Sequence, residues 1–208
     1  MRRGVVRWMM PMVHAAALAP LVVLAWMFWQ DSLGPAPVAA VIRRLGRYAL
    51  VLLLLSLVPT VVKTVSGLGQ LLRMRRALGL YAFLYASLHF LAFAGLDYRF
   101  DLGLIGTTLA ESRREIVGLG ALLILGVLAL TSIPGLVRQL GKAWKPLHRL
   151  VYGAAVLVVL HYVWNYKELR AWPLLAGATV LLLLIARVPP VVSSLSERRS
   201  QGKQASTQ

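Results

Sequence analysis

Six long runs of this sequence contain almost no charged residue. A helix needs about 20 mostly apolar residues to cross a bilayer, so each run predicts one membrane-spanning helix. The composition agrees, because 59% of the 208 residues are hydrophobic and only 14% are charged. The sequence therefore predicts an all-α membrane protein with a six-helix bundle. The predicted spans are residues 9–29, 45–62, 77–96, 116–137, 146–166 and 171–186.

The basic residues predict the orientation of these helices. Lys and Arg number 23 and Asp and Glu number 7, which gives a net charge of +16. With the N-terminus inside, 15 of the 23 basic residues fall in cytoplasmic segments, whereas six of the seven acidic residues fall outside. This is the positive-inside pattern of proteins embedded in membrane lipid. We therefore expect both termini in the cytoplasm and no nucleic-acid partner.

All four histidines, His14, His89, His148 and His161, fall within predicted spans. Ionisable groups inside a membrane are costly and commonly functional. The chain has no cysteine, which excludes thiolate metal sites and iron–sulfur clusters. His89 and His161 lie at similar depth in the outer half, where two imidazoles can bind one haem iron. Two filled axial positions favour electron transfer over oxygen binding.

His148 lies 13 residues before His161, or about 20 Å along an ideal helix, which suits a second haem in the inner leaflet. The two side chains would then point about 140° apart. Either the helix is distorted after Pro146, or His148 faces another helix. His14 is the candidate second ligand for this inner haem. Zinc would instead need three or four converging ligands, and these histidines are spread over both leaflets.

Arginines at two places are candidates to pair with haem propionates. Arg47 is near the outer end of the second span, and Arg73, Arg75 or Arg76 is the candidate at the inner end of the third. Snorkelling and topology are the competing explanations for all of them. Three glycines can either admit a flat macrocycle or serve ordinary helix packing. They are Gly46, Gly79 and Gly153.

We expect residues 1–190 to form one transmembrane haem domain and residues 191–208 to form a polar, disordered cytoplasmic tail. No internal repeat stands out, and no nucleotide-binding motif occurs. A reductase built on this chain would need its NAD(P)H module from another protein. The longest outer loop, residues 97–115, is a candidate docking surface for a partner.

Two segments carry a family resemblance. Residues 140–164, LGKAWKPLHRLVYGAAVLVVLHYVW, and residues 73–90, RMRRALGLYAFLYASLHF, resemble the MsrQ family, formerly YedZ. These are haem-binding membrane subunits of the periplasmic methionine sulfoxide reductase system, within the ferric-reductase-like transmembrane superfamily. The resemblance extends over all six predicted spans, including the histidine of the first and the Gly46–Arg47 pair of the second.

The resemblance implies a b-type cytochrome of the bacterial inner membrane. Such a chain binds one or two haem b groups, with FMN as a further cofactor, and takes electrons from the quinone pool or a cytosolic flavin reductase. It passes them to MsrP, a periplasmic molybdenum enzyme that repairs methionine sulfoxide, so the substrate chemistry lies in the partner. The family's haem histidines correspond to His89, His148 and His161. Oxidases of the superfamily place two histidines on each of two helices, whereas the third span here has only His89.

Two other classes of function compete with this interpretation. A proton-relaying transporter or channel would use the buried histidines, but it predicts broken helices with polar residues near the midplane. The spans here are almost uniformly aliphatic. A passive anchor for a partner enzyme leaves the four histidines unexplained. Absence of haem from purified protein would favour the transporter.

Overall fold

The structure is a computed structural model that describes residues 2–165 and 171–185. The regular elements in these two ranges are all helical, so the all-α prediction is confirmed for this part of the chain. The predicted tail, residues 191–208, and the end of the sixth predicted span at Ala186 lie outside the described residues. The helices are α1 (Arg2–Trp29), α2 (Pro37–Ser66), α3 (Leu72–Ala92), α4 (Leu102–Glu111), α5 (Arg113–Leu130), α6 (Pro134–Leu140), α7 (Trp144–Leu147), α8 (Leu150–Trp164) and α9 (Ala171–Ile185).

Within the described ranges, three helical segments are long and apolar enough to cross a membrane. They are Trp8–Trp29, Pro37–Ser66 and Gly69–Asp97. A fourth candidate is α5 together with Pro134–Leu147, two pieces that meet at 91°. The apolar helix α8 has only 15 residues. The count of six spans and the cytoplasmic termini therefore stay predictions.

Local sequence signals explain several helix ends. Pro37 occupies the first turn of α2, where a missing N–H costs nothing. The helix ends at Gly67, whose φ of +74° favours glycine and whose N–H donates to the Lys63 carbonyl. The Asp101 carboxylate accepts the Leu104 N–H at 3.0 Å and caps α4. The predicted outer loop 97–115 therefore contains a helix.

The fourth predicted span, residues 116–137, is divided in the structure. Helix α5 ends at Leu130, and Ile133 is extended, with ψ of 132°. A proline disfavours helical geometry in the residue before it, and Pro134 follows Ile133 directly. The chain then continues into α6 at a sharp angle. The prediction of one continuous helix to Val137 is therefore wrong.

The fifth predicted span, residues 146–166, is interrupted near its start, and its last residue lies outside the described residues. Helix α7 ends at Leu147, and a turn at His148 and Arg149 separates it from α8. His148 and His161 are therefore not on one continuous helix, and the ideal-helix angle between them does not apply. The predicted distortion after Pro146 is the alternative that the structure shows.

The bundle is organised by two helix pairs, α2 with α3 and α5 with α8. Leu53 and Leu57 of α2, Tyr85 of α3 and Ala154 of α8 are almost completely buried in the shared core. Helix α1 packs on the first pair, where the Tyr85 hydroxyl donates to the Ala17 carbonyl at 2.7 Å. Large apolar side chains elsewhere on the surface of the bundle, such as Val22, Trp26 and Leu123, are exposed, as expected where helices face lipid.

Candidate functional site

The structure brings His89 of α3 and His161 of α8 together in one cavity. Their ring centroids are 6.1 Å apart, and the ring planes are inclined by 80°. The cavity has a volume of about 230 Å³ and is lined mostly by apolar side chains of α2, α3, α5 and α8. Its polar lining includes Arg43, Arg47, Glu115 and Asn165.

Each imidazole is tied to the backbone of a facing helix. His89 Nδ1 lies 2.8 Å from the Ile42 carbonyl oxygen of α2, and His161 Nδ1 lies 2.9 Å from the Arg114 carbonyl oxygen of α5. Because a carbonyl only accepts, both Nδ1 atoms must carry the proton. Metal-binding histidines usually have this arrangement, with Nδ1–H bonded to a carbonyl and Nε2 left for the metal. The Nε2 of His161 also makes a long contact of 3.4 Å with Asn165 Nδ2, which a bound metal would replace.

A glycine lies beside each ring. A Cβ added to Gly46 of α2 would lie 3.1 Å from His89 Nδ1, and one added to Gly118 of α5 would lie 2.7 Å from His161 Nδ1. Each glycine is four residues after the carbonyl that accepts the histidine N–H. Without a side chain at these positions, the imidazoles lie directly against the helix backbone.

Several residues that line one half of the cavity recur in the other half at a constant spacing in the sequence. Gly118 follows Gly46 by 72 residues, and His161 follows His89 by the same number. Three pairs of identical lining residues obey this spacing: Ala49 and Ala121, Leu50 and Leu122, Leu53 and Leu125. From the sequence alone, no repeat was evident and Gly118 was not among the predicted site residues. This spacing is the signal that identifies it.

The other residues singled out from the sequence are divided between this cavity and the rest of the bundle. Arg47 and Gly46 line the cavity. Gly79 and Gly153 do not line it, and a Cβ at either position would meet nothing within 4 Å. Arg76 lies at the opposite end of α3, where its guanidinium donates to the Ser132 carbonyl.

His148, in the turn between α7 and α8, lies against the C-terminal end of α5, at the other end of the bundle from the cavity. Its Nε2 is 3.1 Å from Thr131 Oγ1, and its ring stacks on Trp144 with centroids 4.1 Å apart. The Trp144 Nε1–H donates to the Thr131 carbonyl at 3.0 Å. Carbonyls at a helix C-terminus have no hydrogen-bond donor within the helix. Here Trp144 and Arg76 donate to the carbonyls at the bend after α5.

His14 has a different neighbour again. Its Nδ1 lies 2.9 Å from the Tyr81 hydroxyl of α3, and the two rings meet edge to face. The described contacts thus give His14 and His148 separate partners. Among the described residues, no three His, Asp or Glu side chains converge as a metal site, so the cavity offers a pair of imidazoles.

The sequence also matches known proteins. Residues 45–159 match the family described as ferric reductase like transmembrane component. The chain is 43% identical over 192 residues to the protein-methionine-sulfoxide reductase heme-binding subunit MsrQ of Rhodospirillum rubrum, covering 92% of this chain and 90% of that protein. It is 42% identical over 179 residues to the MsrQ of Xanthomonas axonopodis pv. citri, covering 83% and 82%. The chain belongs to the MsrQ family.

Membership in the MsrQ family, together with the long apolar helices, makes this chain a multi-pass membrane protein. The matched range of the transmembrane family contains Gly46, His89, Gly118 and His148, and it ends two residues before His161. Alignment with the Rhodospirillum rubrum MsrQ covers nearly the whole chain, so the family assignment does not depend on one helix pair.

Proposed function

We propose that this chain is a transmembrane b-type cytochrome that passes electrons outward to MsrP, a periplasmic molybdenum enzyme that repairs methionine sulfoxide in proteins. The observation that carries the proposal is the pairing of His89 and His161 across one apolar cavity. The related MsrQ proteins are themselves named heme-binding subunits of a protein-methionine-sulfoxide reductase.

The residues of the cavity fit a haem. Metal–imidazole bonds are about 2.0–2.1 Å long, so two rings on opposite sides of one metal have centroids about 6 Å apart. The His89 and His161 centroids are 6.1 Å apart. The lining leucines, such as Leu53 and Leu125, suit a porphyrin face, and Arg43 and Arg47 supply cations for propionates.

A bound haem supplies reversible one-electron transfer at its iron. The chain's own residues set the conditions for that transfer. The carbonyls of Ile42 and Arg114 hold the Nδ1 protons and make each Nε2 a better donor to the iron. His89 and His161 would together hold the haem iron, and a haem held by two imidazoles would supply electron transfer rather than oxygen binding.

The direction of transfer follows from the predicted topology. Gly46 and Gly118 lie near the starts of α2 and α5, and His89 and His161 near the ends of α3 and α8. With six spans and cytoplasmic termini in the bacterial inner membrane, this end of the bundle faces the periplasm. Quinol or a cytosolic flavin reductase is the proposed donor. Reduction of one sulfoxide consumes two electrons and two protons, so two transfers through the chain serve each repair.

A second haem at the inner end, held by His148, remains a separate proposal from the family resemblance. His14 would be the second ligand and Arg76 a propionate partner. Each of these side chains makes a protein contact instead, with Thr131, Tyr81 and Ser132 respectively. FMN is likewise proposed from the family alone. Haem stoichiometry therefore separates the one-haem and two-haem forms of the proposal.

The test is the absorption spectrum of purified protein. Reduction should produce a b-type haem spectrum, and His89→Ala and His161→Ala should each abolish the haem of this site. His14→Ala should leave the haem of this cavity in place, since His14 contacts Tyr81 away from the cavity. It should lower the haem content only if an inner haem is present. Unchanged haem content in both cavity variants would refute the ligand assignment. A wild-type protein without haem would favour the proton-relaying alternative.

A further inference from the structure

Gly46 and Gly118 lie directly beside the two imidazoles. At Gly118, an added Cβ would lie 2.7 Å from His161 Nδ1 and 2.8 Å from Cε1, closer than real Cβ contacts. At Gly46 the shortest separation from His89 is 3.1 Å, so that ring would need to move by only a few tenths of an ångström. An alanine would therefore displace His161 more than His89.

The same geometry explains why the histidine N–H bonds form. In an α-helix the Ile42 carbonyl also accepts the N–H of residue 46, and the Arg114 carbonyl that of residue 118. The imidazole reaches this carbonyl by passing over the glycine. A side chain there would push the ring away from its acceptor, and so would change both the hydrogen bond and the ring orientation.

Two halves of the chain have this arrangement independently. In each half, the glycine lies four residues after a carbonyl and 43 residues before a histidine, and the histidine N–H donates to that carbonyl. Ordinary helix packing explains one close approach of a ring to a glycine. It does not explain why both rings donate to the carbonyl four residues before their glycine, with planes inclined by 80°.

We propose that Gly46 and Gly118 are positioning residues that hold the two axial imidazoles nearly perpendicular to each other and bonded through Nδ1 to the backbone. This inference rests on the proposed haem function. The relative orientation of axial rings determines how the iron d orbitals split, and an Nδ1 hydrogen bond increases the electron donation of the ligand. The glycines therefore set the electronic state and the reduction potential of the haem.

The test uses electron paramagnetic resonance and a redox titration of purified full-length protein. Ferric wild-type protein should give a strongly anisotropic low-spin signal, as perpendicular rings produce. Gly118→Ala should lower that anisotropy and raise the reduction potential, because a weakened hydrogen bond makes the ligand a poorer donor. Gly46→Ala should cause a smaller change in the same direction.

Gly120→Ala is the matched control, because Gly120 is on the same helix and a Cβ there meets nothing within 4 Å. It should leave the signal and the potential unchanged. If Gly118→Ala loses its haem, the signal and the reduction potential of the milder Gly46→Ala variant test the proposal instead.

A wild-type signal typical of parallel rings would overturn the inference. So would a haem-loaded Gly46→Ala or Gly118→Ala variant identical to wild type. Wild-type protein without haem would instead overturn the proposed function, so the two failures are distinguishable.

Discussion

His89 and His161 face each other with ring centroids 6.1 Å apart, although they lie on helices from different halves of the chain. The His89 ring is held by the Ile42 carbonyl of α2, and the His161 ring is held by the Arg114 carbonyl of α5. The site therefore exists only when α2, α3, α5 and α8 are packed together. A change in any one of these helices is expected to alter the pair.

His148→Ala should leave the haem between His89 and His161 in place. His148 contacts Thr131 and Trp144 at the other end of the bundle, so its loss removes a hydrogen bond and a ring contact there. We expect a loss of about 1 kcal/mol of stability. Haem per chain, measured by pyridine haemochrome, is the readout. Loss of the cavity haem would contradict the separation of the two regions, whereas a fall from two haems to one would identify His148 as an inner ligand.

Arg76→Ala should destabilise the bend without changing the haem spectrum. The guanidinium donates to the carbonyl of Ser132, which lies just after the end of α5 at Leu130. Removing the donor should cost about 1 kcal/mol, measured as a lower thermal midpoint in detergent. Arg73→Ala is the control, because Arg73 is an exposed arginine on the same helix. Equal destabilisation by both variants would show that the bond to Ser132 is not responsible.

Glu115→Gln should raise the haem reduction potential. The Glu115 side chain is 17% exposed, lines the cavity and pairs with Arg114 at 2.7 Å. A negative charge near the iron favours the oxidised form, and it acts strongly where water is excluded. Redox titration measures the shift. Glu111→Gln removes an exposed carboxylate that does not line the cavity. An equal shift in this control, or a lower potential in Glu115→Gln, would be contrary to expectation.

The predicted orientation can be tested with single cysteines, because the natural chain has none. Thr107→Cys on α4 and Ser66→Cys at the end of α2 both replace exposed hydroxyl side chains. A membrane-impermeant maleimide added to intact spheroplasts should label the first variant, and it should label the second only after lysis. The reverse pattern would place the cavity on the cytoplasmic side and would contradict outward electron transfer.

The break between α5 and α6 could not be predicted from hydropathy. Residues 116–137 contain no charged residue, so their composition predicted one continuous helix. Pro134 was the local signal for a break, since proline restricts the residue before it. Whether a proline kinks or ends a helix depends on what satisfies the freed carbonyls. Here Arg76, 56 residues from Ser132, and Trp144, 13 residues from Thr131, do so.

The environment of the histidines was likewise only partly predictable from the sequence. Their position within apolar runs was visible in the sequence, and counting along the runs placed His89 and His161 at similar depth. The partners of His14 and His148 were not visible, because helices that are apolar on every side do not show which face meets a neighbour. Gly118 was missed for the same reason, since nothing local distinguishes it from Gly120.

The sequence alone determined that this chain forms apolar helices and that its four histidines lie within apolar runs. Transfer of a segment from water to lipid depends on that segment's own composition, so it can be read locally. Only the tertiary structure decided that a glycine and a carbonyl on one helix hold an imidazole on another. That choice depends on the rotation and packing of several helices at once, which no single segment encodes.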